Sequence, residues 1–300
     1  MKKILLASTF LAGTAGFAVA DDANFSFSGE AAFGFVYIIT PDGADADTDN
    51  DTLFVPTVSS EFTAAMMTTT DMGLEASASI TVEAFGVSVE TDPTDGDFGV
   101  VTYDGGGAIS EASVSLSGDW GTFTAGWDDP DMEFTYANTW GDFSLDVYYT
   151  MIDLAGDTSD DDEFGAEVGY AFGDYNAYVG FDGVMAPTGG DMDLSYYVGG
   201  DATFSSVTVS AEVTFDPDEA TDGDAAIDYE AGLAYATGPY SFGATIYGDN
   251  DDTTDFDGEA SASYDLGGGV SVDLGVGYDG GVADVDDNTI LVSLGVSMAF

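Results

Sequence analysis

The sequence has almost no basic side chains and several other residue types are missing. Its two Lys or Arg residues are Lys2 and Lys3, and it contains neither His nor Cys. Phosphate backbones are bound largely through Lys and Arg, so nucleic-acid binding is excluded. Without Cys there are no disulfides, thiol nucleophiles or cysteine-based metal sites. Without His there is no Ser-His triad and no histidine acid or base.

Acidic residues, glycine and hydrophobic residues are all abundant in the sequence. Asp and Glu total 57, Gly totals 40, and 45% of the residues are hydrophobic. The high hydrophobic content argues against an acidic disordered chain. By residue type a carboxylate pair for glycoside hydrolysis is available, but no spacing singles out two acids for that chemistry. We therefore predict that the protein is not an enzyme.

The N-terminus predicts export from the cytoplasm. Residues 1–20 combine the positive pair Lys2 and Lys3, an apolar stretch from Ile4 to Phe17, and the small-residue motif Ala18-Val19-Ala20. This order is typical of a cleaved secretory signal peptide. We therefore expect a signal peptide over residues 1–20 and one domain over residues 21–300. The expected domain contains neither Lys nor Arg.

Beyond the signal peptide, the pattern along the chain has a period of two. In the last segment, apolar side chains at Ile290, Val292, Leu294, Val296, Met298 and Phe300 alternate with Leu291, Ser293, Gly295, Ser297 and Ala299. Successive side chains of a strand point to opposite faces, so this segment predicts a strand with one apolar face. Similar alternation recurs over residues 227–236 and 270–278.

Acidic residues within these segments fall on the polar side of the alternation. Polar side chains facing a lumen and apolar side chains facing lipid are the pattern of a transmembrane barrel. The acids predicted to line the lumen are Glu30, Glu61, Glu75, Glu83, Glu111, Glu133, Asp146, Glu167, Asp182, Asp201, Glu212, Asp228, Glu230, Asp257, Glu259 and Asp273.

The spacing of the segments predicts the architecture. About sixteen segments of roughly nine to twelve residues are separated by alternating short turns and long polar loops, as in outer-membrane barrels. The expected long loops include residues 85–107, the longest in the chain. The fold class is therefore all-β: a 16-stranded antiparallel transmembrane β-barrel with short periplasmic turns and longer extracellular loops. Aromatics beside the short turns predict an interface girdle at Trp120, Trp140, Phe172, Tyr175, Phe204, Tyr240 and Tyr264.

Several stretches resemble one known family. The segments "MKKILLASTFLAGTAGFAVA", "FSFSGEAAFGFVY", "VSSEFTAAMMTTTDMGLEASASITVEA" and "SEASVSLSGDWGTFTAGW" are similar in order and spacing to general-diffusion porins of Rhodobacter-like alphaproteobacteria. The resemblance implies a homotrimer of barrels in the outer membrane of a Gram-negative bacterium that passes small solutes. It also implies that the terminal Phe300 is the signal read by the barrel-assembly machinery.

Two features depart from that family. Its pore eyelet sets basic residues against acidic ones, and this chain has no basic residue to contribute. Its constriction loop follows the fifth strand, where this chain has only Asp128-Asp129-Pro130-Asp131. The 85–107 loop is the alternative segment that could narrow the mouth.

A lumen lined by carboxylates concentrates cations and excludes anions. We therefore expect a passive, water-filled, cation-preferring channel for small hydrophilic solutes and ions. A competing explanation of the acidity is adaptation to a saline habitat, where screening makes self-repulsion tolerable. The alternative functions are a substrate-specific outer-membrane channel and a blocked structural or adhesive barrel, and a soluble acidic β-sandwich is a more distant alternative.

Acidic loops also raise the question of divalent cations. Loose Ca²⁺ or Mg²⁺ binding is one interpretation of these loops, and solvated charge is the other. Bridging cations would let a surface without Lys or Arg meet anionic lipopolysaccharide. The residues concerned are Asp45, Asp47, Asp49, Asp51, Asp249, Asp251 and Asp252.

Overall fold

The computed structural model describes most of the chain in strands and short turns. The described residues are 25–40, 51–69, 73–89, 101–104, 108–128, 131–151, 162–185, 192–217, 226–250, 257–279 and 289–300. The predicted signal peptide lies outside them. Within these residues, no helix has the length and hydropathy needed to cross a membrane.

Seventeen strand segments follow one another in the part of the chain that the structure describes. The first nine are β1 (Phe25–Thr40), β2 (Asp51–Thr69), β3 (Glu75–Val89), β4 (Val101–Asp104), β5 (Ala108–Gly118), β6 (Gly121–Asp128), β7 (Asp131–Trp140), β8 (Phe143–Met151) and β9 (Asp162–Phe172). The remaining eight are β10 (Tyr175–Met185), β11 (Met192–Phe204), β12 (Val207–Asp216), β13 (Ala226–Thr237), β14 (Tyr240–Asp249), β15 (Asp257–Gly267), β16 (Val270–Asp279) and β17 (Thr289–Ala299).

The strands form one closed antiparallel sheet. Successive strands pair along the chain, except that β4 and β5 both pair with β3. β17 returns to pair with β1 over ten residue pairs, from Glu30↔Ala299 to Ile39↔Ile290. The short β4 and the longer β5 both pair with β3 at different heights, so they occupy one position in the ring. The barrel therefore has sixteen strand positions, as the sequence predicts, and closure leaves no exposed sheet edge.

Closure is completed by the last residue. The backbone N–H of Phe300 donates to the carbonyl of Gly29 at 3.0 Å, and the N–H of Gly29 donates to the Phe300 carbonyl at 2.9 Å. A Cβ on Gly29 would lie 2.6 Å from Cζ of the Phe300 ring. Glycine at this position therefore makes room for the terminal aromatic side chain.

The outer surface is apolar, as expected for contact with lipid. Side chains that alternate outward are large and exposed, for example Phe33 at 53% and Leu294 at 53%. All the residues predicted for the aromatic girdle are exposed, and several form ring pairs along the turns, such as Phe172 with Tyr175 at 5.3 Å and Tyr240 with Tyr264 at 4.9 Å. The aromatics of this girdle lie next to the short connections.

Short turns connect strands at this end of the barrel. Two-residue connections such as Gly173-Asp174 and Gly238-Pro239 use glycine with positive φ, 73° and 56° respectively. The left-handed region is open to glycine at little cost, so these glycines allow the tight reversal. Ser205, with φ of 62°, takes the same conformation without being glycine.

Two sequence expectations about length need correction. β1, β2 and β3 have 16, 19 and 15 residues, longer than the expected nine to twelve. The expected 85–107 loop is also partly strand, because β3 continues to Val89 and β4 covers Val101–Asp104. Two β-bulges interrupt period-two alternation: one extra residue lies in β3 opposite the Ser60–Glu61 step of β2, and one lies in β5 opposite the Thr81–Val82 step of β3. The bulge in β3 hid the continuation of pairing.

Candidate functional site

The interior of the barrel holds a cavity of about 840 Å³. Its lining residues come from β3 and from β5 through β13. The strands β1, β2 and β17 do not line this cavity, and their inner side chains form an apolar cluster. This cluster consists of Val36, Ile38, Val55 and Leu291, each 2–6% exposed.

The strand register places all sixteen predicted lumen acids on one face of the sheet. Residues that pair directly across strands share a face, and the pairs Glu30↔Glu61, Glu61↔Glu83, Asp146↔Glu167 and Glu212↔Glu230 carry this face from strand to strand. Apart from Leu53 and Met67 near the ends of β2, the large exposed apolar side chains alternate onto the opposite face. The sixteen acids therefore share the face that borders the cavity, and their role as the lining of a conducting lumen stays a prediction.

Some of the predicted acids border the cavity itself and others lie elsewhere on the inner face. Those on the cavity are Glu111, Glu133, Asp146, Glu167, Asp182, Glu212 and Glu230. The register puts the rest on the same inner face, away from that cavity: Glu30, Glu61, Glu75, Glu83, Asp201, Asp228, Asp257, Glu259 and Asp273.

Sequence reasoning missed further acids on the cavity. These are Asp131, Glu163, Asp193 and Asp216, all within two residues of a strand end. Each is in phase with a predicted acid or with an inward residue of its own strand. Extending the alternation to the strand ends would have found them, but acidic loop sequence on the far side of each strand end obscured the boundary.

Tyrosines on the inner face are the second group that sequence reasoning missed. Tyr148, Tyr178 and Tyr197 border the cavity, whereas the pattern treated aromatics as lipid-facing. Their position in the alternation could have identified them, because each has the same phase as residues predicted to point inward. Tyr148, for example, is two residues from Asp146 and therefore lies on the same face.

Each of these tyrosines lies in a row that spans three neighbouring strands: tyrosine, glycine, carboxylate. Tyr148 on β8 pairs with Gly165 on β9, which pairs with Asp182 on β10. The Tyr148 hydroxyl donates to Oδ1 of Asp182 at 2.7 Å. A Cβ on Gly165 would lie 2.4 Å from the Tyr148 ring, so the glycine provides the space that the ring crosses.

The other two rows repeat the arrangement. Tyr178 crosses Gly199 and donates to Oε2 of Glu212 at 2.9 Å. Tyr197 crosses Gly180 in the opposite direction, and its hydroxyl hydrogen bonds to Glu167. The Tyr178 and Tyr197 rings lie 6.2 Å apart at 62°. Together the rows, which we call the tyrosine rows, fix three carboxylates and expose aromatic surface to the cavity.

Like charges lie directly opposite each other on this wall. Asp146 pairs with Glu167, and Glu212 pairs with Glu230. Such pairs repel each other and destabilise a sheet when nothing neutralises them. The chain has no Lys or Arg beyond Lys3, so no basic side chain of the barrel can neutralise them. Protons and dissolved cations are the remaining means of reducing this repulsion.

On the inner face of β3, β5, β16 and β17, hydroxyl side chains are more frequent than on β8–β13. Ser77 and Ser115 are hydrogen bonded at 2.6 Å, and Ser79 and Ser113 at 2.7 Å. Asp273 accepts from the hydroxyl of Ser297 at 2.9 Å. Small hydroxyl side chains lie close to the wall, so they keep the interior polar without filling it.

The acidic loop residues have a different status. Asp45, Asp47, Asp49, Asp251 and Asp252 lie outside the described residues, and Asp51 and Asp249 are strand residues. Among the residues that the structure describes, no group of three or more acids could hold a metal ion. Divalent-cation binding in the loops stays a prediction.

The link between β6 and β7 consists only of residues 129–130. This agrees with the short connection expected from the sequence. β6 ends at Asp128 and β7 begins at Asp131, and these two residues pair across the hairpin. Among the described residues, the polar side chains on the cavity belong to the strands.

Comparison with known proteins places the chain. A family model described as Gram-negative porin matches residues 7–137 and 131–284. An engineered variant of the Rh. blastica porin matches with a TM-score of 0.63 and 16% sequence identity, covering 92% of this chain and 100% of that one. A triple mutant of the Rhodopseudomonas blastica porin matches with a TM-score of 0.62 at 16% identity, over the same shares.

A further porin structure has a TM-score of 0.61 and 18% identity, again covering 92% of this chain and 100% of that chain. At these identities the structural matches establish the fold. None of the curated proteins compared with the chain matches it significantly. The family model covers most of the chain and the closed barrel agrees with it, so the chain belongs to the Gram-negative porins, the channel-forming barrels of the outer membrane.

Proposed function

We propose that this porin is a passive, water-filled channel that prefers cations because its inner wall carries carboxylates and no basic side chain. The observation that supports this most strongly is the common inward phase of all sixteen predicted acids, held by the cross-strand register. A channel whose fixed charges have one sign raises the local concentration of the opposite ion. No binding step is needed for such a preference.

The arrangement differs from a pore that opposes acids and bases. A transverse field needs charges of both signs on facing walls, and this chain offers only acids. Its field therefore points toward the wall from every side that carries acid. Anions are repelled throughout the lumen, and cations are attracted most strongly beside β8–β13.

We further propose the assembly and processing of the protein. Residues 1–20 are removed on export, and three copies assemble in the outer membrane after the barrel-assembly machinery reads Phe300. Divalent cations bound loosely by the loop acids bridge the surface to lipopolysaccharide phosphates, because carboxylate oxygens suit hard cations. The chain performs no catalysis in this proposal.

The test is the reversal potential of purified protein in a planar bilayer under a KCl gradient. We expect a potential displaced toward the K⁺ equilibrium value, decreasing as salt rises because screening shortens the range of the wall charges. The double variant Glu133→Gln and Asp146→Asn removes two charges from the cavity and should reduce the displacement. A matched control is Asp119→Asn with Asp142→Asn, which removes two charges from the short turns.

Each other outcome has a definite meaning. Steady conductance without ion preference would retain the pore and assign the acidity to a saline habitat. Saturation of flux by one solute would replace the diffusion channel with a substrate-specific one. Absence of current from inserted, folded protein would overturn the channel and favour a blocked structural barrel.

A further inference from the structure

The end of the barrel with the short turns carries carboxylates next to exposed aromatic rings. Three neighbouring turns have this combination, those between β5 and β6, between β7 and β8, and between β9 and β10. The neighbours within two residues of each other are Asp119 with Trp120, Asp142 with Trp140 and Phe143, and Asp174 with Phe172 and Tyr175. All of these side chains are exposed. We call this surface the aspartate–aromatic rim.

The rings of the rim are held in place on the barrel. The ring of Trp120 stacks on Tyr136 of β7, with centroids 6.2 Å apart and planes at 10°. The Tyr136 hydroxyl and Nδ2 of Asn138 both donate to the carbonyl of Trp120, at 2.5 and 2.7 Å. Further around the rim, ring contacts with centroid distances of 4.6–6.0 Å join Phe143, Tyr170, Phe172, Tyr175 and Phe204 in that order. The rings therefore keep defined positions where the strands meet the turns.

No basic side chain of the rim can pair with a lipid phosphate, because the chain has no Lys or Arg beyond Lys3. Anionic headgroups are recognised by clusters of Lys and Arg, so an anionic lipid finds no partner here and is repelled by the aspartates. An ammonium group is attracted both by the carboxylates and by the faces of the rings. The charge of the rim is therefore complementary to a headgroup with a positive end.

The order of the groups along the barrel wall also matches a zwitterionic phospholipid. Interfacial Trp and Tyr rings lie at the level of the headgroups. Trp140 ends β7 and Tyr175 begins β10, and Asp142 and Asp174 lie beyond these rings in the turns. Toward this end, the outer face thus presents apolar side chains, then rings, then carboxylates. A zwitterionic phospholipid presents acyl chains, phosphate and terminal ammonium in the same direction.

We propose that the aspartate–aromatic rim binds phospholipids whose headgroup ends in an ammonium group, in preference to anionic phospholipids. The acyl chains lie on the apolar outer face, and the ammonium group lies beside one of the three aspartates and against a neighbouring ring. The turns Ser205-Ser206 and Gly238-Pro239 have girdle aromatics beside them but no acid, so the preference is confined to one side of the barrel. The inference concerns the outer surface and does not depend on which ions the lumen passes.

The chain contains three Trp residues, and two of them, Trp120 and Trp140, report directly on the rim. The test uses the Trp127→Phe protein in vesicles of equal parts phosphatidylethanolamine and phosphatidylglycerol, with brominated acyl chains on one lipid at a time. Bromine quenches the fluorescence of a tryptophan that it contacts. We expect phosphatidylethanolamine to quench more strongly, with a relative binding constant of about two- to fivefold, the ratio for an exposed ammonium contact of roughly 0.5–1 kcal/mol. Equal quenching, or stronger quenching by phosphatidylglycerol, would overturn the proposal.

A neutral galactolipid separates attraction of the ammonium group from repulsion of the anionic headgroup, because it carries neither charge. Brominated phosphatidylethanolamine should also quench more strongly than a brominated galactolipid in the same mixture. Equal quenching would overturn the proposal, since repulsion of phosphatidylglycerol alone would then explain the first result. This comparison needs no change in the rim, and the unsubstituted protein replaces Trp127→Phe if that variant does not fold.

Charge variants locate the preference on the barrel. Asp119→Asn with Asp142→Asn removes the acids nearest to the two reporting tryptophans and should lower the binding ratio by about half. The matched control is Glu133→Gln with Asp146→Asn, which removes two charges from the inner face of β7 and β8 and should leave the ratio unchanged. An unchanged ratio in the first variant would show that the aspartates do not select the lipid. An equal loss in both variants would assign the preference to the total charge of the barrel, and either result would overturn the proposal.

Discussion

Two sides of the barrel share the same period-two alternation but carry different side chains on the inner face. On β1, β2 and β17 the inner positions nearest the long connections are Val36, Ile38, Val55 and Leu291, which pack together and are almost fully buried. On β8–β13 the inner positions include carboxylates and tyrosines, which border a cavity. Both sets occupy the same face of one continuous sheet.

The difference shows that only part of the inner face of the barrel borders the cavity. Where inner side chains are apolar and buried, they contribute packing at the point where the first and last strands meet. Where they are acidic and half-exposed, they contribute a negative electrostatic potential and a surface that solutes can contact. The first side should therefore respond to substitutions in stability, and the second should respond in conduction.

The largest effect is expected at the buried cluster. Leu291→Ala removes a side chain that is 2% exposed and leaves a cavity, so the free energy of unfolding should fall by about 2–4 kcal/mol. Leu294→Ala is the matched control on the same strand, since Leu294 is 53% exposed on the outer face. The measurement is urea unfolding in detergent or lipid. Equal losses for both variants would remove the distinction between the two faces of β17.

Next in size are substitutions of the glycines that accommodate rings. A Cβ at Gly180 would lie within 2.2 Å of the Tyr197 ring, and one at Gly29 within 2.6 Å of the Phe300 ring. Both Gly180→Ala and Gly29→Ala should lower the free energy of unfolding by about 1–3 kcal/mol through overpacking.

The two sides should nevertheless differ in a second readout. Gly180→Ala should also change the reversal potential under a KCl gradient, because it displaces Tyr197, which hydrogen bonds to Glu167, whereas Gly29→Ala should not. Gly126→Ala is the control, since the nearest atom to its added Cβ is 3.9 Å away. Full stability of Gly180→Ala would contradict the ring placement. The assays are urea unfolding and the reversal potential.

The smallest expected effect on the fold, with a clear effect on conduction, comes from pH. A carboxylic acid in water is half-protonated near pH 4. Protonation removes negative charge, so cation preference should be present at neutral pH and decline as pH falls toward and below this region. Reversal potentials measured across a pH series test this. A preference that does not change with pH would mean that the carboxylates do not set it.

Much of the fold was accessible from the pattern of residues. The alternation at residues 290–300 predicted the final strand, and short glycine-rich turns such as Gly173-Asp174 predicted where strands reverse. The inward phase of acids such as Glu167 and Glu212 also followed, because side chains of a strand alternate without exception unless a bulge intervenes. Bulges are what made β3 and β4 harder to place, since one extra residue changes the phase.

The sequence by itself therefore determined the strand number, the polarity of the two faces and the sign of the lumen charge, since all three depend on local alternation and composition. Only the tertiary structure decided which inner residues meet. The tyrosine rows join side chains on strands up to 34 residues apart, as Tyr148 and Asp182 are, because they depend on the register of three neighbouring strands. The burial of Leu291 likewise depends on β17 closing against β1, a contact between the two ends of the chain. Register and closure are properties of the assembled sheet, so no single segment could reveal them.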